Sequence, residues 1–207
     1  MSIIQYNTND HIVNGLVTCL QDTPFRKLSN KDIIMASEIS PRTFYRYYAD
    51  KNDLLDSIEN ELIGGLKEAL EIDRKSLENL QEAPDPSEIV SLADDAFKHT
   101  LAFAEKNKAI AKALLSDNGD ILFAHQIEEV SEEEFKIRAK FLSGNKQIEV
   151  TDPVFIKMYV SQIITLIESW LFFSDEISPR KIREFIGKVQ VTSPFDILKL
   201  EAEIQEQ

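Results

Sequence analysis

The side chains best suited to recognition chemistry are gathered near the amino end. Residues 41–48 read Pro41-Arg42-Thr43-Phe44-Tyr45-Arg46-Tyr47-Tyr48. On a helix, Phe44 and Tyr48 share one face at four-residue spacing, which leaves Arg42, Thr43, Tyr45 and Arg46 free to point elsewhere. One face packs; the other is available to a groove. Other chemistry is thin. The three histidines, His11, His99 and His125, have no metal-ligand spacing, and there is no glycine-rich phosphate loop, nucleophile elbow or HExxH helix. Cys19 is the single cysteine and lies in an apolar pattern, so a small buried thiol is the expectation. Glu128-Glu129 and Glu132-Glu133-Glu134 read as a solvated face. No catalytic constellation can be named, and the sequence predicts no enzyme, metal or cofactor.

The elements that must position residues 41–48 follow from periodicity and caps. Ile12, Val13, Leu16, Val17 and Leu20 recur at three- and four-residue steps, which predicts an amphipathic helix over 9–20. Phe25 and Leu28 look like core plugs in the connection beyond it. Ser29 can cap a short second helix whose first turn holds Asp32 and whose body carries Ile33, Ile34 and Ala36. That helix gives way near Glu38-Ile39-Ser40, after which Ser40 caps and Pro41 opens a third helix. Asp50 caps a long helix predicted to run to about Leu80.

Net charge is −13, which disfavours phosphate contact if spread evenly. It is not spread evenly. Residues 1–51 carry six cations against five acids, a balance of +1, so everything after Lys51 sums to −14. An acidic body would be repelled from a polyanion and would help orient the near-neutral head toward it. Beyond the long helix, the sequence predicts a break near residues 82–86 and a helix from Ser87 toward Lys106. Further helices follow, with a loop at Ser143-Gly144-Asn145-Lys146. Residues 153–173 are apolar on nearly all sides. Lys157, Gln162 and Glu168 interrupt them, which favours a helix buried on two fronts over a membrane span. A last helix opens at Ser178-Pro179. These two helices offer more apolar surface than a monomer needs, suiting a self-complementary dimer face, although both could simply be central in the monomer. No cleavable signal is visible, so a cytoplasmic location is expected.

Leu28-Ser29-Asn30-Lys31-Asp32-Ile33-Ile34, Ile39 through Tyr48, and Asp50-Lys51-Asn52-Asp53-Leu54-Leu55 resemble the DNA-binding head of the tetracycline-repressor (TetR/AcrR) family. His99 through Phe123, and Glu168-Ser169-Trp170 followed by Ser178-Pro179, more loosely resemble the ligand and dimer domain of some members, including regulators related to dihydroxyacetone kinase operons. The resemblance implies an all-α fold, with a helix-turn-helix DNA-binding domain at 1–55 and a helical ligand-binding and dimerisation domain at 56–207. It implies double-stranded operator DNA, a small-molecule effector and a second copy of the chain as partners, with a repressor as the expected function. Arg42, Thr43 and Tyr45 would meet base edges or thymine methyls, and Ser29, Lys31, Tyr47 and Lys51 would meet phosphates. Arg46 could do either, or pair with an acid on the first helix. Candidates to line an effector pocket are His99, Phe103, Phe123, His125, Tyr159 and Trp170. The chain departs from the family pattern where Glu38 replaces a usual glycine, Ile34 a usual small alanine and Tyr47 a usual histidine. An acid at position 38 leaves open an alternative: a protein-interaction coregulator or activator with weak DNA affinity of its own.

Overall fold

The computed structural model describes residues 3–80, 82–143, 150–173 and 177–191, with side chains from Thr8 onward. Among the described residues there are ten α-helices and no strand: α1 (Ile3–Asp22), α2 (Asn30–Ala36), α3 (Pro41–Tyr47), α4 (Lys51–Arg74), α5 (Pro86–Ala96), α6 (Lys98–Lys106), α7 (Lys108–Leu115), α8 (Ile121–Leu142), α9 (Pro153–Phe173) and α10 (Pro179–Val191). The chain divides into two compact units. The first comprises Met1–Gly65 and Lys106–Ile127, the second Leu66–Glu105 and Glu128–Gln207. Residues 106–127, which the sequence reading left with the body, therefore belong to the first unit.

In the first unit α1 packs on α2 and on α7. Its core contains Ile12, Leu16 and Leu20 from α1, Leu28 from the connection, Ile33 and Ile34 from α2, Phe44 from α3 and Leu54 from α4. These are the apolar positions that helical periodicity selects. The α1–α2 approach is close because residue 15 is glycine: a Cβ there would lie 2.0 Å from Ser37 Oγ and 2.7 Å from its amide nitrogen. Ser37 is buried and satisfies its hydroxyl on the Ile33 carbonyl at 2.6 Å. The connection after α7 is tied to the end of α1, with Asn118 Nδ2 donating to the Leu20 carbonyl at 3.0 Å and the Phe25 amide donating to the Asn118 carbonyl at 2.8 Å.

In the second unit α5 and α10 form the closest helix pair. Gly187 permits it, since a Cβ there would meet the Val90 carbonyl oxygen at 2.9 Å. α5 begins two residues before the expected Ser87: Asp85 caps it, accepting from the amides of Ser87 and Glu88, while Glu88 reaches back to the Asp85 amide. The predicted continuous helix to Lys106 is two helices broken at Phe97. Both orphan ends find partners across the unit. The buried Asp73 carboxylate accepts from the amides of His99 and Thr100 at the start of α6, and Arg138 donates to the Ala96 carbonyl at the end of α5 at 2.7 Å. Arg138 is itself buried and satisfied, donating also to Glu134 at 2.8 Å and the Leu70 carbonyl at 3.1 Å, with Arg74 completing Glu134 at 2.6 Å. α4 accordingly closes at Arg74, short of Leu80, and residues 75–79 continue as turns.

α9 spans residues 153–173 as expected, but it is buried on one front. Ile156, Val160, Ile163, Trp170 and Leu171 face inward, while Val154, Phe155, Met158 and Phe173 are exposed. By length and composition it is the one described helix that could cross a membrane; its inward face is instead part of the packed unit. The apolar face of α10, Ile182 and Ile186, is covered within the same unit. Of the loop expected at residues 143–146, the last three residues lie outside the described ones.

Candidate nucleic-acid interface

α2, α3 and the turn between them are short helices fixed by their caps. Ser29 and Asp32 form a reciprocal box: the Ser29 amide and hydroxyl donate to Asp32 Oδ2 at 2.8 and 2.7 Å, and the Asp32 amide donates to Ser29 Oγ at 3.3 Å. These Ser29 bonds, first the hydroxyl and then the amide, hold the Asp32 carboxyl below its usual range. Ser40 caps α3 by accepting from the Thr43 amide at 3.1 Å, and Pro41 takes the first turn. In the turn, Glu38 has a φ of 55°, the left-handed region that favours glycine. This is the position where the family resemblance calls for glycine, so the turn keeps its geometry and a glutamate bears the strain.

α3 is two-faced. Phe44 is fully buried and Tyr48 nearly so, with the Tyr48 hydroxyl donating to Asn9 Oδ1 of α1. Tyr45 is 54% exposed although it directly follows Phe44, whose ring it meets edge-on at 5.4 Å. Arg42 and Arg46 are exposed, and Thr43 is half-buried with its hydroxyl 2.8 Å from Ser40 Oγ. The Arg46 guanidinium lies over the Tyr47 ring at 5.0 Å and donates to its phenol at 3.4 Å, which answers the question of an acidic partner: it stacks on its neighbour. Arg42, Tyr45, Arg46 and, at the edge, Thr43 and Tyr47 thus share one open surface, with Lys31 exposed on α2.

Two residues grouped from sequence with the phosphate contacts have inward partners. Ser29 is engaged in its capping box. Lys51 donates to the carbonyls of Phe25 at 2.9 Å, Leu28 at 2.7 Å and Arg26 at 3.4 Å, and its ammonium stands 4.8 Å from the Phe25 ring centre. It bolts the start of α4 to the connection before α2. Asn30, which the sequence reading passed over, links three helices: it lies in α2, its Oδ1 accepts from the Lys51 amide of α4 at 2.8 Å, and its Nδ2 donates to the Tyr45 hydroxyl of α3 at 3.4 Å. A polar residue one position past a cap is so common that only the fold singles it out.

The six pocket candidates are not gathered into one place. Phe123 is buried and His125 exposed in the first unit, whereas His99, Phe103, Tyr159 and Trp170 belong to the second. His99 is joined to Asp73 through Nδ1 at 2.9 Å. Tyr159 stacks on Phe135 at 4.2 Å, donates to Gln190, and burial pushes its phenol up to about 12. Trp170 Nε1 donates to the Ile177 carbonyl at 2.7 Å. These last two have the contacts of packed core residues. Among the described residues no cluster of histidine, cysteine and carboxylates could hold a metal ion.

A capped helix-turn-helix with an exposed second helix, in an all-helical chain, has the architecture of a helix-turn-helix regulator. Residues 93–190 match the family model of a transcriptional regulator C-terminal region of the TetR type. The TetR transcriptional regulator from Streptococcus agalactiae has a similar fold, at 20% identity and a TM-score of 0.53, over 91% of this chain and 95% of that one. The fatty acid degradation regulator FadR from Bacillus halodurans is similar at 18% identity and a TM-score of 0.54, over 90% and 96%. The TetR-family regulator PfmR from Thermus thermophilus is similar at 14% identity and a TM-score of 0.56, over 87% and 96%. Comparison with curated proteins by sequence gave no match. The chain belongs to the TetR family of transcriptional regulators, which are in general not enzymes.

Proposed function

We propose that the protein is a ligand-responsive repressor that binds a near-palindromic operator as a homodimer, with its DNA-binding domain at residues 1–55 and its ligand and dimer functions at 56–207. The observation that carries this reading is the division of α3, with Phe44 sealed in the core while Arg42, Tyr45 and Arg46 stand outside it. A helix so divided can enter a major groove with its outer side chains against base edges while neighbouring hydroxyls and cations fix its register on phosphates. The exposed apolar face of α9, including Val154, Phe155 and Met158, supports self-association through that helix. Two reading heads related by a twofold axis would meet half-sites roughly 34–36 Å apart. α4 carries residues of both units and is the element through which an effector on the body would draw the population away from the DNA-competent form, with a coupling of about 1–3 kcal/mol.

The test is nuclease footprinting on genomic fragments with the wild type and an Arg42→Ala, Tyr45→Ala double variant, both substitutions being at exposed positions. Protection of a discrete near-palindrome that disappears in the variant supports the reading. Equal, weak protection of any duplex by both proteins would reject it in favour of the coregulator, the reading that the carboxylate of Glu38 beside the open face favours.

A further inference from the structure

The Asn30 side chain has its orientation dictated by the backbone. The Lys51 amide can only donate, so the Asn30 atom facing it at 2.8 Å must be the amide oxygen, and the NH2 group is left facing the Tyr45 hydroxyl at 3.4 Å. A phenol oxygen that accepts from an NH2 group keeps its own hydrogen for another partner. Tyr45 is 54% exposed, so that hydrogen is directed outward, on the open side of α3. We infer that Asn30 is a positioning residue that sets Tyr45 as a hydrogen-bond donor, so that Tyr45 selects a base edge presenting an acceptor.

This rests on the proposal that α3 reads DNA, and it deepens it. In the major groove the acceptors are guanine O6 and N7, adenine N7 and thymine O4; the amino groups of cytosine and adenine are donors and would be refused. Asn30 acts only through the phenol. Its other bond holds the first amide of α4, one of the helix-end donors that lack an intrahelical partner, so the reading phenol and the start of α4 move as one piece.

The experiment uses the full-length chain and a random-duplex selection to define its preferred half-site, followed by affinities for all four base pairs at each position and for base analogues lacking one acceptor at a time. At one position, removal of a single acceptor should weaken wild-type binding roughly fivefold to tenfold, the worth of one net hydrogen bond, and should leave Tyr45→Phe unaffected. Asn30→Asp keeps an oxygen for the Lys51 amide but offers the phenol only an acceptor, which turns its hydrogen inward. It should lose discrimination at that same position. In the Tyr45→Phe background, Asn30→Asp should change nothing there. The added carboxylate lowers affinity for every sequence alike, so the readout is the ratio between base pairs.

The inference is overturned if no acceptor removal separates wild type from Tyr45→Phe, which would make the phenol a backbone contact, or if Asn30→Asp retains the full discrimination. Should Asn30→Asp fail to fold, the comparison of wild type with Tyr45→Phe still decides whether the phenol donates to a base. A wild type with no duplex preference in the selection would overturn the DNA-reading role itself, and the inference with it.

Discussion

The Lys51 ammonium lies 2.7 Å from the carbonyl oxygen of Leu28, a residue on the far side of α2 and α3 in sequence. A cation with two close carbonyl partners and a third at 3.4 Å is a structural staple first. Lys51→Ala should therefore destabilise the chain by about 1–2 kcal/mol, the lower range for bonds to a charged group because the site is half-buried. It should leave the salt dependence of duplex binding unchanged. Lys31→Ala should do the reverse, lowering the slope of log affinity against log salt by about 0.9 with no change in thermal stability. Urea denaturation and a salt titration of both variants separate the roles; a reduced slope for Lys51→Ala would return it to the phosphate set.

Glu38 at a φ of 55° carries two burdens, a left-handed backbone and a carboxylate next to the open face of α3. A side chain in that region costs about 1–2 kcal/mol, and glycine gives back roughly 0.5–1 kcal/mol of that through unfolded-state entropy. Glu38→Gly should raise stability by up to about 1 kcal/mol and also tighten binding to any duplex by removing an acid. Thermal melts and affinities at low salt check both effects; a loss of stability would mean that the glutamate makes a compensating contact.

Glu59 on α4 is 5% exposed, and its Oε1 has no hydrogen-bond partner. Burial, then Asp120 and Asp56, push its carboxyl up to about 7, and a hydrogen bond from Gln126 only partly offsets them. The folded state thus holds a proton that the unfolded chain releases near 4.5. Between those values stability falls as pH rises; the penalty is absent below the lower value and complete above the upper one. Glu59→Gln removes it, so the variant should match the wild type at pH 5 and exceed it by about 2–3 kcal/mol at pH 8. Urea denaturation at both pH values provides the measurement, and equal gains at pH 5 and pH 8 would contradict the linkage.

Elements whose causes are local were legible in the sequence. The Ser29 and Ser40 caps, Pro41 at the start of α3, the inward Phe44 and Tyr48 and the outward Tyr45 all follow from residues a few positions apart. What escaped depends on partners distant in the chain. The break at Phe97 is fixed by Asp73, 26 residues before His99, and by Arg138, 42 residues after Ala96. Lys51 looked like a phosphate ligand because its carbonyl partners lie 23 to 26 residues upstream, and Asn30 was unremarked because Tyr45 is 15 residues away. Capping preferences see one turn of helix; none of these contacts falls within one.

Asp73 offers the sharpest stability test among these distant contacts. It is 1% exposed and accepts four hydrogen bonds: from the His99 amide at 2.8 Å, His99 Nδ1 at 2.9 Å, the Thr100 amide at 2.8 Å and Thr100 Oγ1 at 2.7 Å. Two of these donors are the first free amides of α6, so the carboxylate serves as a cap supplied from another helix. Asp73→Asn preserves the volume but turns one acceptor into a donor that must face an N–H. It should cost about 3 kcal/mol or more, close to Asp73→Ala, because buried amides lose their partner in both. His99→Ala should cost under about 1 kcal/mol, since it removes only the bond from a half-exposed ring and leaves both amides capped. Urea denaturation ranks the three variants. If Asp73→Asn proved as mild as His99→Ala, the α5–α6 break would have to be held by Arg138 alone, and Arg138→Met would then be the substitution that restores a single continuous helix.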